Sequence, residues 1–153
     1  MLERHRPNRF WLAAAMLLAC AGFSCAFGEF RPGDPMGHQF NLEKSQQAYT
    51  NAVRWSKFDE AASYLDPGER EAFLAQMPDF DEGRFTDWEA GSWQFDDPEE
   101  MIGGVIHVTY RAYSMNTLVE FKLKERQQWS RPDGGKLWKV ESEFSGLGQF
   151  GGE

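Results

Sequence analysis

The stretch LVEFKLKERQQW, Leu118–Trp129, alternates between apolar and charged residues. Val119, Phe121 and Leu123 fall on one side, and Glu120, Lys122 and Lys124 on the other. A period of two is the signature of a strand with one face on a core and one in water. The same parity carries Glu125 and Gln127 onto the apolar side. Upstream, VIHVTYRAY, Val105–Tyr113, alternates in the same way. Ile106, Val108, Tyr110 and Ala112 oppose His107, Thr109 and Arg111. Downstream, Arg131-Pro132-Asp133-Gly134-Gly135 has the composition of a hairpin turn, and KLWKVES returns with Trp138 and Val140 on one face. FTDWEAGSWQF supplies a further strand, and Ala90-Gly91 is expected to form a bulge that brings Trp88 and Trp93 to one face. The polar run Asp96 to Glu100 turns the chain into the next strand.

The segment before the strands has helical spacing. Tyr49, Ala52 and Val53 share one helical face, and Phe58, Ala61, Ala62 and Leu65 follow the i, i+3, i+4, i+7 pattern. Ser56 is expected to cap this second helix, with Asp59 in its first turn. Asp66-Pro67-Gly68-Glu69 predicts a third start, with Asp66 as cap and Pro67 at the first helical position. Phe73, Leu74 and Met77 form the apolar face of that helix, and Pro78 follows its end. The expected fold is α+β: N-terminal helices packed on a curved antiparallel sheet of about four strands.

This order resembles the nuclear transport factor 2-like superfamily, also called ketosteroid-isomerase-like or cone-shaped α+β. The likeness is carried by WSKFDEAASYLDPGEREAF, FTDWEAGSWQF, VIHVTYRAY and QQWSRPDGGKLWKVES, over residues 45–145. It lies in element order and apolar pattern, and such a fold hosts enzymes, binding modules and assembly domains alike. Enzymes of the superfamily place acids, bases and tyrosines inside the cone. The resemblance together with strand parity makes Glu125 the candidate general base and Tyr110 its hydrogen-bond donor. A solvated Glu125 at an exposed strand end is the plainer alternative. His107 shares its parity with Thr109 and Arg111, so an exposed place is expected. Tyr49, Trp88, Tyr110, Phe121 and Trp138 are the candidate pocket lining.

The chain opens with Arg4, Arg6 and Arg9 against Glu3, followed by the uncharged run Phe10 to Ala19. A basic start, a short apolar run and small residues after it make a secretory signal. Ten residues of helix span about 15 Å, against a hydrocarbon core of about 30 Å. Leu17-Leu18-Ala19-Cys20 resembles the bacterial lipobox, which implies diacylglycerol on the Cys20 thiol and Cys20 as the new N-terminus. Ala21 after it implies sorting to the outer membrane. The alternatives are ordinary signal-peptidase cleavage after Ala21 or Ala26, which gives a free secreted or periplasmic protein, and a Cys20–Cys25 disulfide. Residues Ala26 to Lys44, rich in Gly, Pro and polar side chains, read as a tether. The organisation expected is a signal peptide over 1–19, a lipidated N-terminus and tether over 20–44, the domain over 45–145 and a flexible tail over 146–153.

Charge narrows the partners. Loss of residues 1–19 takes three arginines and one glutamate from totals of 16 basic and 24 acidic residues, leaving 13 and 23, a formal charge of −10. Such a chain is a poor ligand for nucleic acid, whose binding needs Lys and Arg against phosphate. No Cys–His spacing suits zinc. Asp79-Phe80-Asp81-Glu82-Gly83 has the start of a calcium loop without its later ligands, so no metal and no cofactor are expected. GLGQFG, Gly146–Gly151, matches a dinucleotide-loop pattern but lacks a following helix.

The leading expectation is a non-enzymatic, lipid-anchored cell-envelope protein that binds a protein partner or an apolar small molecule. One alternative is a small isomerase- or dehydratase-like enzyme using Glu125 and Tyr110. Another is a self-associating structural domain that pairs as a homodimer through its sheet.

Overall fold

The computed structural model describes residues 37–99, 102–132 and 137–151. The signal-like segment 1–19, Cys20, Cys25, tether residues 26–36, Glu100 and turn residues 133–135 lie outside the described residues.

The first helix, α1, spans His38–Arg54. Residues 38–44 therefore belong to a helix and not to the tether, and His38 is the first helical residue. Leu42, Gln46, Tyr49 and Val53 form its buried stripe. Two core-facing positions of α1, Gln46 and Thr50, are polar, which interrupts the apolar period along the helix. Ser56 does not cap the next helix. It takes a left-handed conformation, φ 54°, with its N–H bonded to the Val53 carbonyl at 2.9 Å and the Lys57 N–H bonded to the Ala52 carbonyl at 2.8 Å. This pair of bonds is the Schellman closure of α1, with serine where glycine is usual.

Helix α2 is short, Phe58–Ala62, and carries Asp59 and Glu60 in its first turn. The chain continues through tight turns, Tyr64 N–H to Ala61 O and Leu65 N–H to Ala62 O, so Leu65 is buried as its spacing predicts. Asp66 to Glu69 is a turn closed by the Glu69 N–H on the Asp66 carbonyl at 3.0 Å. Helix α3 starts a turn later than expected, Arg70–Gln76. Phe73 enters the core, but Leu74 is exposed.

Five strands follow: β1 Gly83–Ala90, β2 Gln94–Phe95, β3 Gly103–Ser114, β4 Glu120–Ser130 and β5 Lys139–Ser145. They make one open antiparallel sheet in the order β1-β3-β4-β5, with β2 also paired to β3. Parity sorts the faces as the sequence predicts. Ile106, Val108, Tyr110, Ala112, Leu123, Glu125, Gln127 and Trp129 are buried, while His107, Arg111, Lys122 and Lys124 are exposed. Val119 departs from this pattern. It precedes β4 and is 58 % exposed.

Strand β1 has an irregularity between Phe85 and Asp87, and a second offset follows Ala90, where Ala90 pairs with Val108 but Gln94 with Val105. The extra residue, Thr86, lets Phe85 and Trp88 face the same side although they are three apart. Arg54, at the end of α1, donates from Nε to the Thr86 carbonyl at 2.9 Å. The bulge is thus tied to the helix that covers the sheet.

Within the stretch expected as a tail, Phe150 is part of the core. Gly146 has φ 94°, and Leu147–Phe150 forms a 3-10 turn that buries Phe150. The Phe150 ring lies 5.0 Å from Phe121 and 5.4 Å from Phe85, centroid to centroid. Its carbonyl accepts from the buried Ser114 hydroxyl at 3.2 Å. Gly83 makes room for it, since any Cβ there would collide with the Phe150 ring.

Two stability changes follow. Phe150→Ala is expected to cost about 3 kcal/mol or more in urea denaturation, as for a buried phenylalanine; a loss under about 1 kcal/mol would return residues 146–153 to a tail. Ser56→Gly is expected to raise stability by about 0.5–1 kcal/mol, because glycine takes positive φ without the Cβ penalty.

Candidate functional site

Glu125 sits in the middle of β4 on the inward face, opposite Val108 of β3 and Phe144 of β5. It is 1 % exposed. An isolated carboxylate at such a place would cost several kcal/mol, so its partners decide what it is. Four donors reach it. Tyr49 Oη donates to Oε1 at 2.5 Å, and Ser142 Oγ to the same oxygen at 2.6 Å. Tyr110 Oη donates to Oε2 at 2.7 Å, and Gln127 Nε2 to the same oxygen at 2.6 Å. Each oxygen accepts two bonds, which fills the ordinary capacity of a carboxylate.

The network extends outward through buried groups. Gln127 Nε2 also reaches Thr50 Oγ1 at 3.1 Å, and Gln46 Nε2 reaches the same oxygen at 2.9 Å. Trp129 Nε1 donates to Gln127 Oε1 at 3.1 Å. Helix α1 and strands β3, β4 and β5 all contribute. Aromatic rings pack around them, Tyr49 against Trp129 at 5.8 Å, Tyr110 against Phe144 at 5.8 Å, and Tyr110 against Phe85 at 5.3 Å, and half-buried Ser142 borders a small concavity beside α3.

No cation is among the partners of Glu125, and hydrogen bonds alone stabilise its charge. Burial pushes its carboxyl above the usual glutamate range, and the four bonds pull the other way without cancelling that rise. Burial, and then the nearby carboxylate, push the Tyr49 and Tyr110 phenols well above the usual tyrosine value. Both therefore remain protonated donors at neutral pH.

Parity reasoning brought Glu125 and Tyr110 together correctly. Tyr49 also joins them, although Glu125 and Tyr49 are 76 residues apart in sequence. Ser142 was missed, although it shares the parity of Trp138 and Val140; its small polar side chain gave no periodic signal. The other expected pocket residues do not gather here. Trp88 lies towards the sheet edge and donates from Nε1 to Asn51 Oδ1 at 3.1 Å. Phe121 packs on Phe150.

Trp138 lines a different place, an open groove of about 700 Å³ between α1, the end of α2 and the β4–β5 hairpin. His38, Asn41, Lys44 and Ser45 of α1 face Arg131, Trp138 and Lys139 across it, with Ser63 and Tyr64 at one end. Glu125 lines neither this groove nor the smaller concavities beside α3, α1 and β1.

Among the described residues, no group of three or more His, Cys, Asp or Glu is placed to hold a metal ion. Asp79 and Glu82 close their own turn, with the Asp79 N–H on Glu82 Oε2 at 3.0 Å and the Glu82 N–H on the Asp79 carbonyl at 3.0 Å. No described helix is long and apolar enough to cross a membrane. Scans of protein-family models, of curated proteins and of solved structures return no match to this chain.

The raised Glu125 pKa fixes a sign. Between the unfolded glutamate value and the higher folded value, the folded state binds more protons than the unfolded one. Raising the pH through that window therefore removes stability. Glu125→Gln is isosteric, and its amide can donate to the Tyr49 and Ser142 hydroxyls while its carbonyl accepts from Tyr110 and Gln127. In urea titrations, the stability of the native chain relative to Glu125→Gln is expected to fall as pH rises from about 4.5. A difference that does not change with pH would mean that Glu125 titrates as an ordinary solvated acid.

Proposed function

We propose that this chain is an exported, lipid-anchored bacterial envelope protein whose domain binds a ligand or a partner and does not use Glu125 for turnover. The observation that carries the binding reading is the state of Glu125. A general base must reach the proton it abstracts and have a free lone pair to receive it. Glu125 is buried, and both its oxygens are occupied. This is the bonding of a structural carboxylate that holds a helix to a sheet. The open groove beside Trp138 is the place with room for another molecule.

The anchoring half of the proposal rests on the basic start, the apolar run to Ala19 and the lipobox-like Leu17-Leu18-Ala19-Cys20. Two or more acyl chains would make a stable anchor where one would not. Residues 21–36 then intervene before the domain, and the placement proposed is the outer membrane, facing the periplasm. The order of three helices followed by an antiparallel sheet supports a cone-shaped domain of nuclear transport factor 2-like type.

The anchoring is tested by the intact mass of the N-terminal peptide from bacterial membranes, beside a Cys20→Ser control. An acylated peptide beginning at Cys20, absent from the control, is expected. An unmodified peptide beginning at Gly22 or Phe27 would make the chain a free exported protein and remove the anchor from the proposal.

A further inference from the structure

The groove between α1 and the β4–β5 hairpin has a charge that the rest of the chain does not share. The chain has a formal charge of −8. Yet the groove presents Lys44, Arg131 and Lys139, with His38 beside them, and no described carboxylate lines it. In an acidic protein, a concavity lined by one positive sign focuses a local field that the net charge opposes.

The cations are held in different ways. Lys139 Nζ donates to the Ser63 and Leu65 carbonyls at 3.3 and 3.2 Å, which leaves one of its three hydrogens for the groove. The Arg131 guanidinium lies 5.0 Å from the centre of the Trp138 ring, and its Nη2 is 3.5 Å from His38 Nε2. Arg131 Nε is buried and has no hydrogen-bond partner among the described residues. Lys44 is exposed on α1 and forms no ion pair with any described residue. Because Nε is buried, an anion in the groove would meet Arg131 through the Nη side of its guanidinium, which the Trp138 ring supports. Tyr64 and Trp138 add ring surface to the same wall.

We infer that this groove binds a phosphate group carried on an apolar or aromatic body, with Lys44, Arg131 and Lys139 taking the phosphate and Tyr64 and Trp138 the body. This rests on the binding reading above and gives it a ligand class. The phosphate has two sources, a soluble phosphate ester or the headgroup of an anionic lipid, and one experiment separates them.

The full-length chain, in neutral detergent, is titrated with phenyl phosphate, with dihexanoyl-phosphatidylglycerol and with benzyl alcohol as the uncharged probe. The readout is the amide signal of Lys44 and the indole N–H signal of Trp138 in proton–nitrogen spectra. At least one phosphate probe is expected to shift both signals, with affinity falling in added salt. Lys44→Glu is expected to weaken that probe at least about tenfold, the scale of one charge-assisted hydrogen bond. Arg131→Gln serves as the second variant, and near-ultraviolet circular dichroism checks that both stay folded. Stronger binding of phenyl phosphate supports a soluble ester; stronger binding of the lipid supports a headgroup. If neither phosphate probe shifts these signals, or if both variants bind as well as the native chain, the inference is overturned. If benzyl alcohol binds there as tightly as phenyl phosphate, the phosphate assignment falls while the groove remains a ligand site.

Discussion

A carboxylate without a counter-charge lies at the centre of this domain, and the elements around it are placed by what that carboxylate requires. Taking a charge out of water is tolerable only when its lone pairs are filled by well-directed donors. Glu125 receives them from α1 through Tyr49, from β3 through Tyr110, from β5 through Ser142 and from its own strand through Gln127. Helix and sheet are therefore joined by directional bonds as well as by apolar area. A helix free to slide on an apolar sheet has many near-equal positions. A helix whose tyrosine must meet one oxygen has far fewer. The second tie, Arg54 to the bulge carbonyl of Thr86, fixes the other end of α1 against β1.

Much of this was legible in the order of residues. Alternation in Val105–Tyr113 and Leu118–Trp129 places Tyr110, Glu125 and Gln127 on the inward face, because strand parity admits only two answers. The first half of α1 was not legible. Gln46 and Thr50 occupy buried positions because they serve the Glu125 network, and a polar residue on a buried face erases the pattern that reveals a helix. Ser56 was misread for a related reason. Serine favours the start of a helix, and only its positive φ shows that it closes α1 and does not open α2. The bulge at Thr86 carries no glycine, and Phe150 lies in a glycine-rich run, so local composition concealed one feature and disguised the other.

The groove and the network divide the polar chemistry of the domain between them. The network is closed, negative and saturated. The groove is open and positive. Tyr64 touches both, with its ring 6.1 Å from Tyr49 and 6.1 Å from Trp129 on the inner side and its surface on the groove. The rigid ring cluster thus backs one wall of the groove and gives it a firm surface.

The long reach of the Glu125 contacts bears on how the chain acquires its structure in time. Tyr49 meets Glu125 across 76 residues, and Gln127 meets Thr50 across 77. Neither bond can form until α1 has docked on a sheet whose central strands already exist. Loop closure over such distances is paid for in entropy before any contact repays it, and proteins dominated by distant pairings fold on slower timescales than helical bundles. Three of the four bonds to the carboxylate come from the sheet itself, through Tyr110, Gln127 and Ser142, and only the Tyr49 bond waits for the helix. A sheet assembled without α1 leaves Glu125 Oε1 one donor short, so docking of the helix completes the bonding of the buried carboxylate.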